Sequence, residues 1–186
     1  MRIISGELKG KSLNFLKNST TRPLKDLVKE NIFNILKHSN LIKLNLKKSN
    51  VLDLYSGIGS FGIECLSRGV EKVTFVEKDK NALNILKKNL TVLSLENRSK
   101  VMCCRIEYFL EKEKNKKYNI IFFDPPFSEN AFIENLNILK KNKMYETNHV
   151  VIIHRDKKSM DNLEDYIDTI FSRQYGRSKI IFGLFN

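Results

Sequence analysis

The run Ile120-Ile121-Phe122-Phe123-Asp124-Pro125-Pro126-Phe127 closes an apolar segment with a carboxylate, two prolines and an aromatic ring. At the carboxyl end of a strand, these types suit an exocyclic amine on a nucleic-acid base. The lone pair of such an amine is delocalised into the ring. It becomes nucleophilic when acceptors on its N–H groups turn it toward sp3 and aim it in line. Asp124 supplies a carboxylate oxygen, and Pro125 a carbonyl on stiff backbone with no competing N–H. Phe127 offers a stacking face, a contact worth roughly 1–3 kcal/mol per base. No His, Cys or Lys nucleophile is required. The bland alternative is a simple turn, since Pro favours turns and Asp tolerates them.

A second constellation, Val51-Leu52-Asp53-Leu54-Tyr55-Ser56-Gly57-Ile58-Gly59-Ser60-Phe61-Gly62, sets Gly-x-Gly-x-x-Gly between an apolar strand and a helix. The glycines allow a tight turn and close backbone approach to a ligand, and the helix start offers free N–H groups. Glu77 closes the next apolar run about 20 residues on, where an acid can take both ribose hydroxyls of a nucleotide-like ligand. Asp53 separates cofactors. A carboxylate near this loop repels a pyrophosphate and attracts the methionine ammonium of S-adenosylmethionine. An equally available role for Asp53 is to accept N–H bonds from the loop. Tyr55 and Ser56 flank the glycines as further cofactor candidates.

Positioning these groups requires strands alternating with helices. The pattern predicts strands at Asn50–Leu54, Lys72–Glu77, Val101–Arg105, Ile120–Asp124, His149–His154, Thr169–Tyr175 and Lys179–Phe185. It predicts helices at Gly59–Arg68, Lys80–Leu93, Glu107–Lys114, Glu129–Asn142 and Ser159–Asp168. Such βαβ units make an α/β fold with a mostly parallel seven-stranded sheet, and Gly176-Arg177 joins its last two strands as an antiparallel pair. Residues 1–15 alternate around Gly6 and Gly10 like a small hairpin. Leu24, Leu27, Val28, Ile32, Ile35 and Leu36 recur at helical spacing. We therefore expect a single domain, 1–186, with an N-terminal hairpin and helix over 1–45 and a Rossmann-like core over 46–186.

The 186 residues carry 33 Lys and Arg against 21 Asp and Glu, a net charge of +12 that suits a polyanionic partner such as nucleic acid. Part of this excess matches a Lys-, Asn- and Ile-rich composition. No apolar run reaches the roughly 18 residues of a membrane span, and the start lacks a secretory leader, so a cytoplasmic setting is expected. Cys65, Cys103 and Cys104 lack metal-site spacing and read as buried thiols. His38, His149 and His154 stand in no metal or triad pattern and read as structural.

The Asp-Pro-Pro-Phe tetrapeptide resembles the motif of amino-methyltransferases, and Asp53 to Gly59 resembles their cofactor loop. Met1 to Gly6 with Gly10, Thr21-Arg22-Pro23 through Leu36, and Gly62 to Gly69 resemble the bacterial 16S rRNA guanine-N2 methyltransferase family. The resemblance spans nearly the whole chain. It implies a class I Rossmann-like fold with S-adenosylmethionine held by Asp53, Tyr55, Ser56, Gly57, Gly59 and Glu77. It implies that Asp124, Pro125, Pro126 and Phe127 place the base. The implied target is N2 of a guanine, of the guanine 966 type, in an assembled or partly assembled small subunit. Lys9, Lys11, Arg22 and Lys25 would then touch RNA beside the mouth of the site, in a monomer without metal. Leu24 and Leu27 depart from the family's Thr and Arg, and Phe127 from its Tyr. Arg105 replaces an Asp near the adenine, and His154 stands where an acid is expected. Against this stand an adenine-N6 methyltransferase acting on DNA or RNA, a nicotinamide-dependent oxidoreductase, and a non-catalytic RNA-binding module.

Overall fold

A computed structural model describes residues 1–15 and 24–186. Seven strands, β1 (Asn50–Leu54), β2 (Lys72–Glu77), β3 (Ser99–Cys103), β4 (Tyr118–Phe123), β5 (Tyr145–Asp156), β6 (Asp168–Tyr175) and β7 (Ser178–Leu184), form one sheet. Its order is β3-β2-β1-β4-β5-β7-β6. Strands β1 to β5 pair in parallel, and β7 runs antiparallel to both β5 and β6. The chain winds outward from β1 to β3 and then returns to β4 on the other side of β1. The carboxyl ends of β1 and β4 therefore flank the switch point where open α/β sheets bind ligands.

Helices α1 (Asp26–His38), α2 (Ser60–Ser67), α3 (Lys80–Val92), α4 (Ile106–Lys112) and α5 (Phe132–Lys141) cover the sheet. Alternate strand residues supply two separate cores. Val51, Phe75, Ile120, Phe122 and Ile152 pack with α1, α2 and α3, whereas Leu52, Leu54, Val76, Phe123 and Ile153 pack with α4 and α5. Burial on both faces explains why these strands read as largely apolar runs without alternation. Among the described residues, no helix is long and apolar enough to cross a membrane.

Residues 1–15 form the expected small hairpin: Arg2 and Ser12 bridge antiparallel, the Ile3 N–H donates to the Lys11 carbonyl at 2.9 Å and the Leu13 N–H to the Met1 carbonyl at 3.0 Å. Its turn is anchored to α2, since Glu64 accepts the N–H groups of Ile4 and Ser5 at 2.8 and 3.0 Å and the Ser67 carbonyl accepts that of Glu7. Two local expectations are corrected. No helix forms over Ser159–Asp168: this segment is irregular with one turn over residues 164–166, and Asp168 already opens β6. Its polar side chains compete with a helix for partners: Asp161 binds Arg155 and Asn162 accepts the Glu164 N–H. Only Cys65 is a buried thiol; Cys103 is exposed at the end of the edge strand β3.

Helix α1 is displaced two residues from the expected span, and Leu27 is 62% exposed. The inward position belongs to Lys29, whose ammonium is fully buried and sits 3.9 Å from Glu64. Burial lowers the Lys29 pKa against the pull of Glu64 and Asp26. Phe33, Phe61 and Phe122 stack in series, with ring centroids 5.5 and 4.0 Å apart, and fasten α1 through α2 to the sheet.

Candidate active site

The turn from β1 into α2 is set by space. A Cβ on Gly59 would lie 2.3 Å from Leu86 Cδ1, and one on Gly62 would lie 2.2 Å from Phe75 Cε1. Gly59 also has φ +84°, a left-handed conformation that disfavours other residues. Gly57 is different: its φ is +54°, yet nothing lies within 4 Å of its missing Cβ, so the loop is open there. Asp53 is buried in β1 and its Oδ2 accepts the Gly62 N–H at 3.0 Å, tying the strand to the helix start. Burial pushes the Asp53 carboxyl well above the usual range, the Gly62 N–H opposes this, and the carboxylates of Asp124 and Glu77 add to it.

Glu77, at the end of β2, accepts the Gly57 N–H at 2.9 Å and the Asp79 N–H at 2.8 Å. It therefore shapes the glycine loop directly. A carboxylate has about four acceptor positions, so room remains for ribose hydroxyls. Tyr55, at φ 58°, donates its hydroxyl to Glu129 at 2.9 Å and accepts from Asn135 at 3.3 Å. Burial, then the bond to Glu129, raises the phenol pKa. Tyr55, Glu77, Arg105, Ile106, Glu107 and Glu129 line a cavity of about 270 Å³. Arg105 thus stands in the wall where the family resemblance led us to expect an acid.

The hydroxyls of Ser56 and Ser60 are buried in this loop with no hydrogen-bond partner. Such groups cost roughly 1–3 kcal/mol each when unsatisfied. Two orphaned hydroxyls, the open face of Gly57, the Glu77 carboxylate and the adjoining cavity fit a nucleoside cofactor bearing a polar amino-acid tail. No group of three or more His, Cys, Asp or Glu among the described residues is placed to hold a metal.

Asp124 follows β4, and its N–H donates to the Leu54 carbonyl at 3.3 Å, so the Asp-Pro-Pro-Phe motif abuts the start of the glycine loop. Its Oδ1 lies 2.8 Å from His154 Nδ1, and His154 Nε2 lies 2.9 Å from Ser178 Oγ. The Phe127 ring meets His154 edge-on, with centroids 5.5 Å apart. Arg155 Nη1 donates to the Pro126 carbonyl at 3.2 Å, and its guanidinium pairs with Asp161 through contacts of 2.9 and 3.1 Å. The Glu129 N–H also donates to the Pro126 carbonyl, at 2.8 Å. Asp124 and Phe127 remain partly exposed.

Asp53, Tyr55, Ser56, Gly57, Gly59, Glu77 and Asp124 to Phe127 are therefore gathered at one end of the sheet. The basic candidates are not. The turn carrying Lys9 and Lys11 is pinned to Ser67, at the end of α2 away from the glycine loop. Lys25 is exposed just before α1, and Arg22 lies outside the described residues. His154, Ser178, Arg155, Asp161 and Glu129 are additions made by the structure. The side-chain bond between His154 and Ser178 joins residues 24 apart on the neighbouring strands β5 and β7, and no local pattern announces it.

Comparison with known proteins adds the following. The family model described as conserved hypothetical protein 95 matches residues 1–183. Ribosomal RNA small subunit methyltransferase D of Haemophilus influenzae is 33% identical over 84% of this chain and 79% of its own length. The protein of that name from Buchnera aphidicola subsp. Acyrthosiphon pisum is 33% identical over 84% of this chain and 78% of its own. The solved structure of yhhF from Escherichia coli covers 100% of this chain and 98% of its own, with a TM-score of 0.83 at 24% identity, which shows a shared fold.

Proposed function

We propose a function from one premise: this chain belongs to the conserved hypothetical protein 95 family and, among class I methyltransferases, to the ribosomal RNA small subunit methyltransferase D group. It transfers a methyl group from S-adenosylmethionine to the exocyclic N2 of a guanine in small-subunit ribosomal RNA, of the guanine 966 type, acting as a monomer on an assembled or partly assembled subunit. The observation that carries this reading is the Asp124 N–H bond to the Leu54 carbonyl, which sets the amine acceptor beside the cofactor loop.

When bound, S-adenosylmethionine would supply an electrophilic methyl group on a sulfonium, with a neutral thioether as its leaving group. The protein's residues do the rest. The unpartnered hydroxyls of Ser56 and Ser60 would hold the polar tail, and Glu77 would take the ribose. Asp53 holds the turn and lends negative charge beneath it. The Pro126 carbonyl is already engaged by Arg155 and Glu129, which leaves the Pro125 carbonyl and one Asp124 oxygen for the amine. Phe127 stacks on the base. Asp124 then takes the proton that the methylated nitrogen sheds.

The test incubates the protein with radiolabelled S-adenosylmethionine and small-subunit particles, then digests the RNA. Labelled N2-methylguanosine is expected. Labelled N6-methyladenosine, or no label from protein that binds the cofactor, overturns the assignment. Asp124→Ala should lose transfer while keeping cofactor affinity, and Asp124→Asn, which keeps an acceptor oxygen, should retain part of it.

A further inference from the structure

The side chain beyond Asp124 is a histidine nearly shut away from solvent, 6% exposed, with both ring nitrogens engaged. We propose that His154, held by Ser178, is a positioning residue: it fixes one oxygen of Asp124 so that the other faces the substrate amine. This inference rests on the methyl-transfer reading above.

The protonation pattern follows from the two partners. Asp124 Oδ1 lies 2.8 Å from Nδ1, and an ionised carboxylate only accepts hydrogen bonds. Nδ1 therefore carries the proton, because a bare nitrogen there would set two acceptors against each other. In the neutral ring Nε2 is the acceptor, and the Ser178 hydroxyl, 2.9 Å away, rotates to donate to it. Ser178 is itself buried at the start of β7, opposite Asp156 of β5, so the sheet fixes the far end of the chain of bonds. The edge of Phe127 against the imidazole couples the same side chain to the ring that stacks on the base.

Without this bond Asp124, a quarter exposed, can turn its carboxylate about Cβ–Cγ and offer the amine either oxygen in several orientations. Fixing that rotation brings the acceptor into line before the base arrives, which affects turnover more than binding. No proton needs to pass through the imidazole. The step remains methyl transfer with proton loss to Asp124.

Two measurements test this. In 15N NMR of histidine-labelled protein, the His154 signals should show Nδ1 protonated, and Ser178→Ala should weaken that preference. For kinetics, Asn places its amide N–H where His places Nδ1–H, whereas Gln places it toward Nε2. His154→Gln should lower kcat roughly ten- to hundredfold, as loss of a hydrogen bond to a charged group implies. KM for the RNA substrate and cofactor affinity should stay within about twofold. His154→Asn should recover kcat to within about threefold of wild type. A merely structural histidine would make the two variants alike. An Nε2-protonated ring, or His154→Gln turning over at the wild-type rate with an unchanged melting temperature, overturns the inference. Wild-type protein that binds cofactor but labels no ribosomal RNA refutes the reaction instead, and the NMR result then decides the tautomer alone.

Discussion

Replacing Asp161 by Ala removes the partner of a buried guanidinium. The Arg155 and Asp161 side chains are 2% and 5% exposed, joined at 2.9 and 3.1 Å, and the guanidinium also lies 4.5 Å over the Phe132 ring. Removing one partner of such a pair leaves an uncompensated charge and costs roughly 3–5 kcal/mol. For a domain of this size, 1 kcal/mol moves the melting temperature by about 2–4 °C. Asp161→Ala should therefore melt roughly 6–20 °C lower, as read by thermal circular dichroism and checked by urea unfolding. Arg155→Met with Asp161→Ala should recover most of this, because an apolar side chain of similar length fills the space without a charge. Turnover should stay depressed in the double variant, since the Arg155 bond to the Pro126 carbonyl is gone. A fall below about 3 °C for Asp161→Ala would refute the reasoning. So would a double variant with full turnover, which would separate Arg155 from the loop.

Asp53→Asn keeps an oxygen for the Gly62 N–H and removes a buried charge facing Asp124 and Glu77. Because the folded-state pKa of Asp53 is raised, its favourable contribution is present at low pH and lost as pH rises through that value. The variant should thus exceed wild type in urea midpoint near about pH 8, with the margin shrinking toward about pH 4; a pH-independent difference would count against this. Gly57→Val puts a β-branched residue at φ +54° and a side chain into open loop space, so stability should drop by about 1–3 kcal/mol. Cofactor affinity by calorimetry should fall more than about tenfold, beyond 1.4 kcal/mol, and unchanged affinity in a folded variant would sink the loop assignment. Binding to small-subunit particles should weaken steeply with salt, and Arg22→Ala with Lys25→Ala should reduce the log–log slope by roughly 1.4–1.8. An affinity flat across salt would show that phosphate contacts are absent.

The central sheet was legible because its strands are covered on both faces. Val51 to Leu54 and Ile120 to Phe123 are apolar runs interrupted at Asp53 and closed by Asp124, and those carboxylates lie near one another at the carboxyl ends of β1 and β4. Glu77 was legible by its place at a strand end, though its bonds to Gly57 and Asp79 N–H groups were not. Legibility failed where a backbone donor goes to a distant side chain. The N-terminal alternation marked the hairpin but not its anchor: Glu64, some 60 residues away, accepts the N–H groups of Ile4 and Ser5. Helical spacing in α1 favoured Leu27 for burial, but the pocket beside Glu64 admits a cation, and Lys29 fills it. His154 read as structural because Ser178 and Asp124 reach it from separate strands.

Charge follows the same division between what composition reports and what only the fold arranges. The net +12 belongs to the whole chain, whereas Asp53, Glu77, Asp124 and Glu129 gather at the carboxyl ends of β1, β2 and β4. The two signs serve different ligands. A sulfonium donor is a cation and gains from the acidic floor of the site. On the proposed reading the acceptor is a base on a polyanion, which gains from the net positive charge of the chain as a whole. The phosphates of that polyanion are repelled by the same carboxylates. The proposal therefore requires the base to enter ahead of its backbone, with Phe127, partly exposed beside Asp124, as the surface offered to it.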